Sequence, residues 1–146
     1  MAFNMIRKKL RKLFQLDCSP QVLAISSAVG VFIGFSPYVG FHTALAIGIS
    51  FIFSLPMYPL LLGAYITNPL TIVFIYALCY RFGKWVLHDH TPIDIDWANI
   101  SLTEIIEAAR SVLLPFFVGT HLIGLIFAVI TYFVIYYIAV KYRQNT

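Results

Sequence analysis

Apolar residues fill two long stretches in which no charged side chain appears, one between Asp17 and Arg81 and one between Arg110 and Lys141. Runs of that length meet the requirement of ~20 apolar residues for a membrane crossing. The first run is short for three crossings with loops, and proline and glycine punctuate it. Ser19 with Pro20, Ser36 with Pro37, and Asn68 with Pro69 each pair a good N-cap residue with a proline, which needs no backbone N–H at the first helical position. These pairs predict three helix starts. The resulting helices fall at about 22–35, 41–55, 57–67 and 70–84, with Pro56 and Pro59 at the connection between the second and third. At ~1.5 Å per residue each is about 16 to 24 Å long, short of a hydrocarbon core of ~30 Å. They read as half-helices, joined as hairpins or discontinuous helices across breaks at 36–40 and 67–71. Irregular backbone at membrane depth persists only where protein or a polar cavity surrounds it.

After Arg81 and Lys84 the character changes. His88, Asp89, His90, Asp94, Asp96, Glu104 and Glu107 mark residues 88–110 as an aqueous or interfacial loop. Ser101 and Glu104 form a capping box that starts a helix near Leu102, which Pro115 and Gly119 are expected to break. The run 121–140 is long enough to cross by itself, and Lys141 and Arg143 anchor its end. The predicted fold is an all-α integral membrane protein of short transmembrane and half-helices broken at Ser-Pro and Asn-Pro, preceded by an amphipathic interfacial helix. As one membrane domain it divides into a basic arm (1–17), broken-helix hairpins (18–84), a polar loop (85–101), a C-terminal broken or transmembrane helix (102–140) and a tail (141–146). Val39-Gly40-Phe41-His42 and Val118-Gly119-Thr120-His121 echo one another after a proline, which would fit two related halves.

Charge refines this picture. Arg7, Lys8, Lys9, Arg11 and Lys12 cluster without an acidic residue, opposite Phe3, Ile6, Leu10, Leu13 and Phe14 at near-helical spacing. Such an arm binds anionic lipid headgroups on the cytoplasmic leaflet, which is a simpler assignment in a membrane chain than nucleic acid. A signal peptide is the rival assignment, but no small-x-small cleavage site closes the apolar run and more apolar sequence comes after it. Basic residues at both ends favour cytoplasmic termini and an even number of crossings, whereas charge alone leaves the side of the acidic loop open. Composition agrees: of 146 residues 60% are hydrophobic and only 11% charged, with mean hydropathy +0.85 and net charge +4. A soluble domain carries roughly 25% charged residues, which argues against a soluble enzyme. Cys18 and Cys79 lie far apart without a C-x-x-C pattern, so neither a disulfide framework nor a zinc site is indicated. No nucleotide loop or catalytic triad is present, and no cofactor is expected.

Two places could carry chemistry. His42 is an ionisable side chain in charge-free apolar sequence beside a helix break, by default a functional candidate in a membrane protein; the competing explanation is a neutral imidazole bonded to a nearby carbonyl. Asn68, Pro69 and Thr71 would place the N–H groups of a half-helix inside the membrane, and Ser36, Pro37 and Gly40 would supply a second such end. Helix N-ends carry partial positive charge and suit a carboxylate or phosphate. Together these seven residues form the predicted substrate site, unless they serve only to cap and turn the chain. His88, Asp89, His90, Asp94 and Asp96 hold enough ligand atoms for a metal but match no specific spacing, and a solvated loop explains them better. Arg81, Lys84 and Arg110 stand where snorkelling anchors belong, and Trp85, Trp97 and the tyrosines near apolar ends suit the interfacial belt.

The block Gly30-Val31-Phe32-Ile33-Gly34-Phe35-Ser36-Pro37-Tyr38-Val39-Gly40-Phe41-His42-Thr43, then Asn68-Pro69-Leu70-Thr71 and Tyr80-Arg81-Phe82-Gly83, resembles the bacterial domain-of-unknown-function family numbered twenty sixty-two. The likeness runs from about Ser19 to Arg143, behind a basic arm that also fits. It implies a small bacterial inner-membrane protein without an established activity. Some relatives are joined to glycosyltransferase domains, which implies a link to envelope or lipid-linked sugar metabolism; no such domain is expected in this chain. Two functions are therefore carried forward. One is binding or permeation of a small anionic solute or lipid headgroup at a midplane site, in a homo-oligomer because one short chain makes a thin pathway. The other is a non-catalytic scaffold that holds an envelope-synthesis partner through its arm and acidic loop. A membrane enzyme using residues 88–96 would need a bound metal.

Overall fold

The computed structural model describes residues 17–67, 71–89 and 102–144. Five helices succeed one another: α1 (Pro20–Phe35), α2 (His42–Phe53), α3 (Met57–Ala64), α4 (Ile72–Val86) and α5 (Leu102–Gln144), with no strand among the described residues. The arm with Arg7, Lys8, Lys9, Arg11 and Lys12, the Asn68-Pro69 pair and most of the polar loop lie outside the described residues. Among the described residues one helix is long and apolar enough to cross a membrane, over Ile105–Gln144; Pro20–Phe35 and His42–Phe53 are apolar but shorter.

Helix α1 starts as its sequence predicts. Ser19 caps it by accepting from the Val22 N–H at 3.3 Å, with Pro20 at the first position. The Ser36-Pro37 pair behaves otherwise: it ends α1 and does not begin a helix. Ser36 is the C-cap, with ψ 151°, because the proline ring after it disfavours the helical region for Ser36. The chain then turns through Gly40, whose φ of +87° favours glycine, and α2 begins only at His42. Helix α2 stops at Ser54, left-handed at φ 51°, where Ser50 holds Leu55 twice: its carbonyl accepts the Leu55 N–H at 3.0 Å and its hydroxyl donates to the Leu55 carbonyl at 2.7 Å. Pro56 then caps α3. Pro59 sits in the first turn of α3, where its missing N–H costs nothing.

The expected break at Pro115 and Gly119 is absent, because α5 runs continuously through both and on past Lys141 and Arg143. Both residues face α4 instead. A Cβ added to Gly83 would lie 1.7 Å from the Pro115 carbonyl oxygen, and one added to Gly119 would lie 1.8 Å from that of Cys79. The two backbones touch there, which is what small residues four apart permit between helices. The same device joins α1 to α3: a Cβ on Gly30 would meet the Leu60 carbonyl oxygen at 2.1 Å, and one on Gly63 the Ser27 carbonyl oxygen at 2.6 Å.

These contacts set the layout. Leu23 shares a cluster with Ala139, and Phe35 stacks on Phe127 at 5.0 Å, so α1 lies antiparallel along the C-terminal half of α5. The Cys79–Gly119 and Gly83–Pro115 approaches lay α4 antiparallel along the N-terminal half. The end of α1 and the start of α4 therefore meet head to tail partway along α5, around Val31, Phe35, Cys79 and Ile123. The α2–α3 hairpin leaves at this junction and folds back beside α1, burying Ile33, Ala46, Leu60 and Ala64. Arg143 donates to the Cys18 carbonyl and ties the two ends of the described chain together. The Val-Gly-x-His echo has no structural counterpart, since Gly40 lies in a turn and Gly119 inside a helix.

Candidate site at the helix junction

The last carbonyls of a helix have no partner within it and must find one elsewhere. At the end of α1 four elements supply donors. Ser36 donates its own hydroxyl to the Ile33 carbonyl at 2.6 Å, and Thr67, after α3, donates to that of Gly34 at 2.8 Å. The Ser36 carbonyl takes two: the Tyr76 hydroxyl of α4 at 3.0 Å and Nε2 of His42, the first residue of α2, at 3.2 Å. A carbonyl only accepts, so His42 donates from Nε2 in this contact. Thr43 and Tyr65 close the rim with hydroxyl oxygens 2.6 Å apart.

Two helix N-ends adjoin this knot. The N-cap residues of α2 and α4, Phe41 and Thr71, make no side-chain cap bond to the N–H groups of their helices. Those groups carry partial positive charge, as the end of α1 carries partial negative charge. Tyr76, one turn into α4, brings that N-end to the knot. On the far side His121 of α5 bonds the Phe117 carbonyl through Nδ1 at 2.8 Å, with the Phe32, Tyr38 and Phe117 rings 5.8, 6.3 and 4.1 Å away.

Of the predicted site residues, Ser36 and His42 come together as hydrogen-bond partners, Pro37 lies half-buried beside them, and Gly40 is exposed in the turn. Thr71 stands at the start of α4, while Asn68 and Pro69 lie outside the described residues. Ser36 and Pro37 contribute a helix C-end, opposite in sign to the N-end predicted for them; the second N-end belongs to α2 at His42. Sequence reasoning missed Tyr76, Thr67, Tyr65 and His121 as site residues. A tyrosine or threonine in an apolar run looks like an interfacial or filler residue, and only the surplus of carbonyls at a neighbouring helix end gives it a purpose.

The assembly can donate and accept hydrogen bonds and present two positive helix ends. Cys79 is fully buried, and burial pushes the Cys18 thiol up although Arg143 opposes it. The described residues hold no group of three or more His, Cys, Asp or Glu side chains near enough to share a metal ion. The profile of a family described as an uncharacterized protein conserved in bacteria matches residues 3–146. No curated protein and no solved structure matches the chain.

Proposed function

The chain belongs to the bacterial family DUF2062, and from that premise we propose that it is an inner-membrane protein that binds a small anionic solute or lipid headgroup at the junction of α1, α2 and α4. Two crossings account for the layout: α5 makes one, and α1 and α4, end to end along it, make the other. Measured along α5 from the level of Arg81 to Lys141, the uncharged span is about 35 Å at ~1.5 Å per residue, close to a hydrocarbon core of ~30 Å. The junction then lies in the interior of the slab, and the α2–α3 hairpin is re-entrant. The basic arm sets both termini on the cytoplasmic side. Exposed Val73, Phe74 and Leu78 on α4 leave an apolar face for lipid or a second copy of the chain.

The observation that carries the binding proposal is the convergence of His42 and Tyr76 on one carbonyl beside the starts of α2 and α4. An anion there would accept from the N–H groups at the starts of α2 and α4. Single-cysteine labelling in intact membranes, in a chain with Cys18 and Cys79 replaced by serine, tests it. Gly40, His42 and Thr71 positions should react with a small polar reagent while the Ala46 position, fully buried, stays inert. If all four are inert, the binding proposal is wrong.

A scaffold is favoured by one observation: no buried side-chain nitrogen or oxygen among the described residues lacks a hydrogen-bond partner. The knot can thus hold the fold without a ligand. Deletion of residues 1–16 distinguishes the two, since a scaffold gripping a partner by its arm loses that partner, whereas a binding protein keeps its junction.

A further inference from the structure

The end of α4 away from the junction has its own construction. Arg81, Lys84 and Trp85 stand three and four residues apart, on one face of the helix. The helix closes in a Schellman turn: His88 is left-handed at φ 52°, its N–H reaches the Trp85 carbonyl at 3.2 Å, and the Asp89 N–H reaches that of Lys84 at 3.0 Å. His88 adopts that conformation without being a glycine, and the turn carries Asp89 back over the face that bears the cations. Arg81, Lys84, Trp85 and Asp89 line one cleft of about 400 Å³. Trp85 is 71% exposed, and the Lys84 ammonium lies 5.9 Å from the centre of the Tyr80 ring.

We propose that this cleft binds a phosphodiester headgroup that carries an amine, the phosphoethanolamine type, with the phosphate between Arg81 and Lys84 and the ammonium on Asp89. A guanidinium fork and an ammonium match phosphate oxygens, whereas a carboxylate in the same cleft repels a second anion and attracts a cation. One face thus holds both halves of a zwitterion. The lipid as source rests on the membrane assignment above: Arg81 and Lys84 end the uncharged span, and exposed Trp85 has the position of an interfacial ring beside the glycerol and upper acyl chains. Because this end lies opposite the end where Arg143 meets Cys18, which the proposed topology puts on the cytoplasmic side, the lipid belongs to the outer leaflet of the inner membrane.

The test uses the full-length chain. Alkaline carbonate extraction of membranes comes first, since release of the protein would overturn the membrane assignment and with it the lipid source. The detergent-purified protein is then titrated by native mass spectrometry with phosphatidylethanolamine, phosphatidylglycerol and the water-soluble glycerophosphoethanolamine. Phosphatidylethanolamine should bind more tightly than either of the others. Replacing both Arg81→Gln and Lys84→Gln should weaken it at least about tenfold, the scale of losing charge-assisted hydrogen bonds, with helix content unchanged; Arg81→Lys, which keeps the charge and loses the fork, should weaken it less than the double replacement. Asp89→Asn should remove the preference over phosphatidylglycerol. Unchanged binding in the folded double variant would overturn the site, an unchanged headgroup preference in Asp89→Asn would overturn the amine assignment, and equal affinity for glycerophosphoethanolamine would assign the cleft to a free phosphoamine in place of a lipid.

Discussion

The Ser36 carbonyl shows how much a single acceptor decides. Proline at position 37 forces the chain out of α1 and leaves carbonyls that apolar surroundings would penalise by several kcal/mol each without partners (~2–7 kcal/mol). His42 and Tyr76 meet that need together. Tyr76→Phe removes one donor and leaves the other, so it should destabilise the protein by about 1 kcal/mol, measured by thermal unfolding in detergent. The double change with His42→Ala should exceed the sum of the single losses, because only then does the carbonyl lose every side-chain donor. Additive losses would mean that the two side chains do not share the acceptor. His42 was legible in the sequence because an ionisable group in apolar surroundings needs a reason. Tyr76 and Thr67 were not, since the carbonyls they serve belong to a helix forty and thirty-three residues earlier.

Among elements, proline and glycine carried two different messages that look alike along the chain. Ser19-Pro20 is a local signal, complete within one turn, and it predicts the start of α1 correctly. Ser36-Pro37 pairs the same two residue types, but a proline restricts the residue before it as well as favouring a helix start after it, and here the helix already running was the one affected. Pro115 and Gly119 read as breakers because their meaning lies on α4, where Cys79 and Gly83 sit against them. Gly119→Val should therefore destabilise the α4–α5 crossing by about 1–3 kcal/mol or more, as overpacking does. Pro115→Ala should be nearly neutral or stabilising, because the ring removes a helical hydrogen bond and strains the preceding turn. Denaturation of the two variants in the same detergent separates these expectations: a larger loss in Pro115→Ala than in Gly119→Val would mean that the proline is required for a bend and that close approach is secondary.

At the scale of the molecule, the lengths of the pieces were legible and their order in space was not. Four apolar helices of 8 to 16 residues could pair as two hairpins or stack end to end, and only the contacts of α1 and α4 with opposite halves of α5 select end-to-end stacking of those two. With α1 beginning where α5 ends, bound by Arg143 at the Cys18 carbonyl, the two proposed crossings would put Cys18 and Arg143 on one side of the membrane and Val86, at the end of α4, on the other. Alkaline phosphatase, active only outside the cytoplasm, should therefore be active when fused after position 95 and inactive when fused after position 144, while a fluorescent protein that folds only in the cytoplasm should give the reverse. A cysteine pair at Leu23 and Ala139 should cross-link within one chain, because both residues are buried in one cluster. Two hairpins that each return to the cytoplasm would place position 95 on the same side as the termini and make the phosphatase inactive at both fusions. The result decides more than topology. The junction lies in the interior of the slab only if α1 and α4 together make one crossing, so inactivity at position 95 would move His42 and Tyr76 to a membrane surface and remove the reason for a buried anion site.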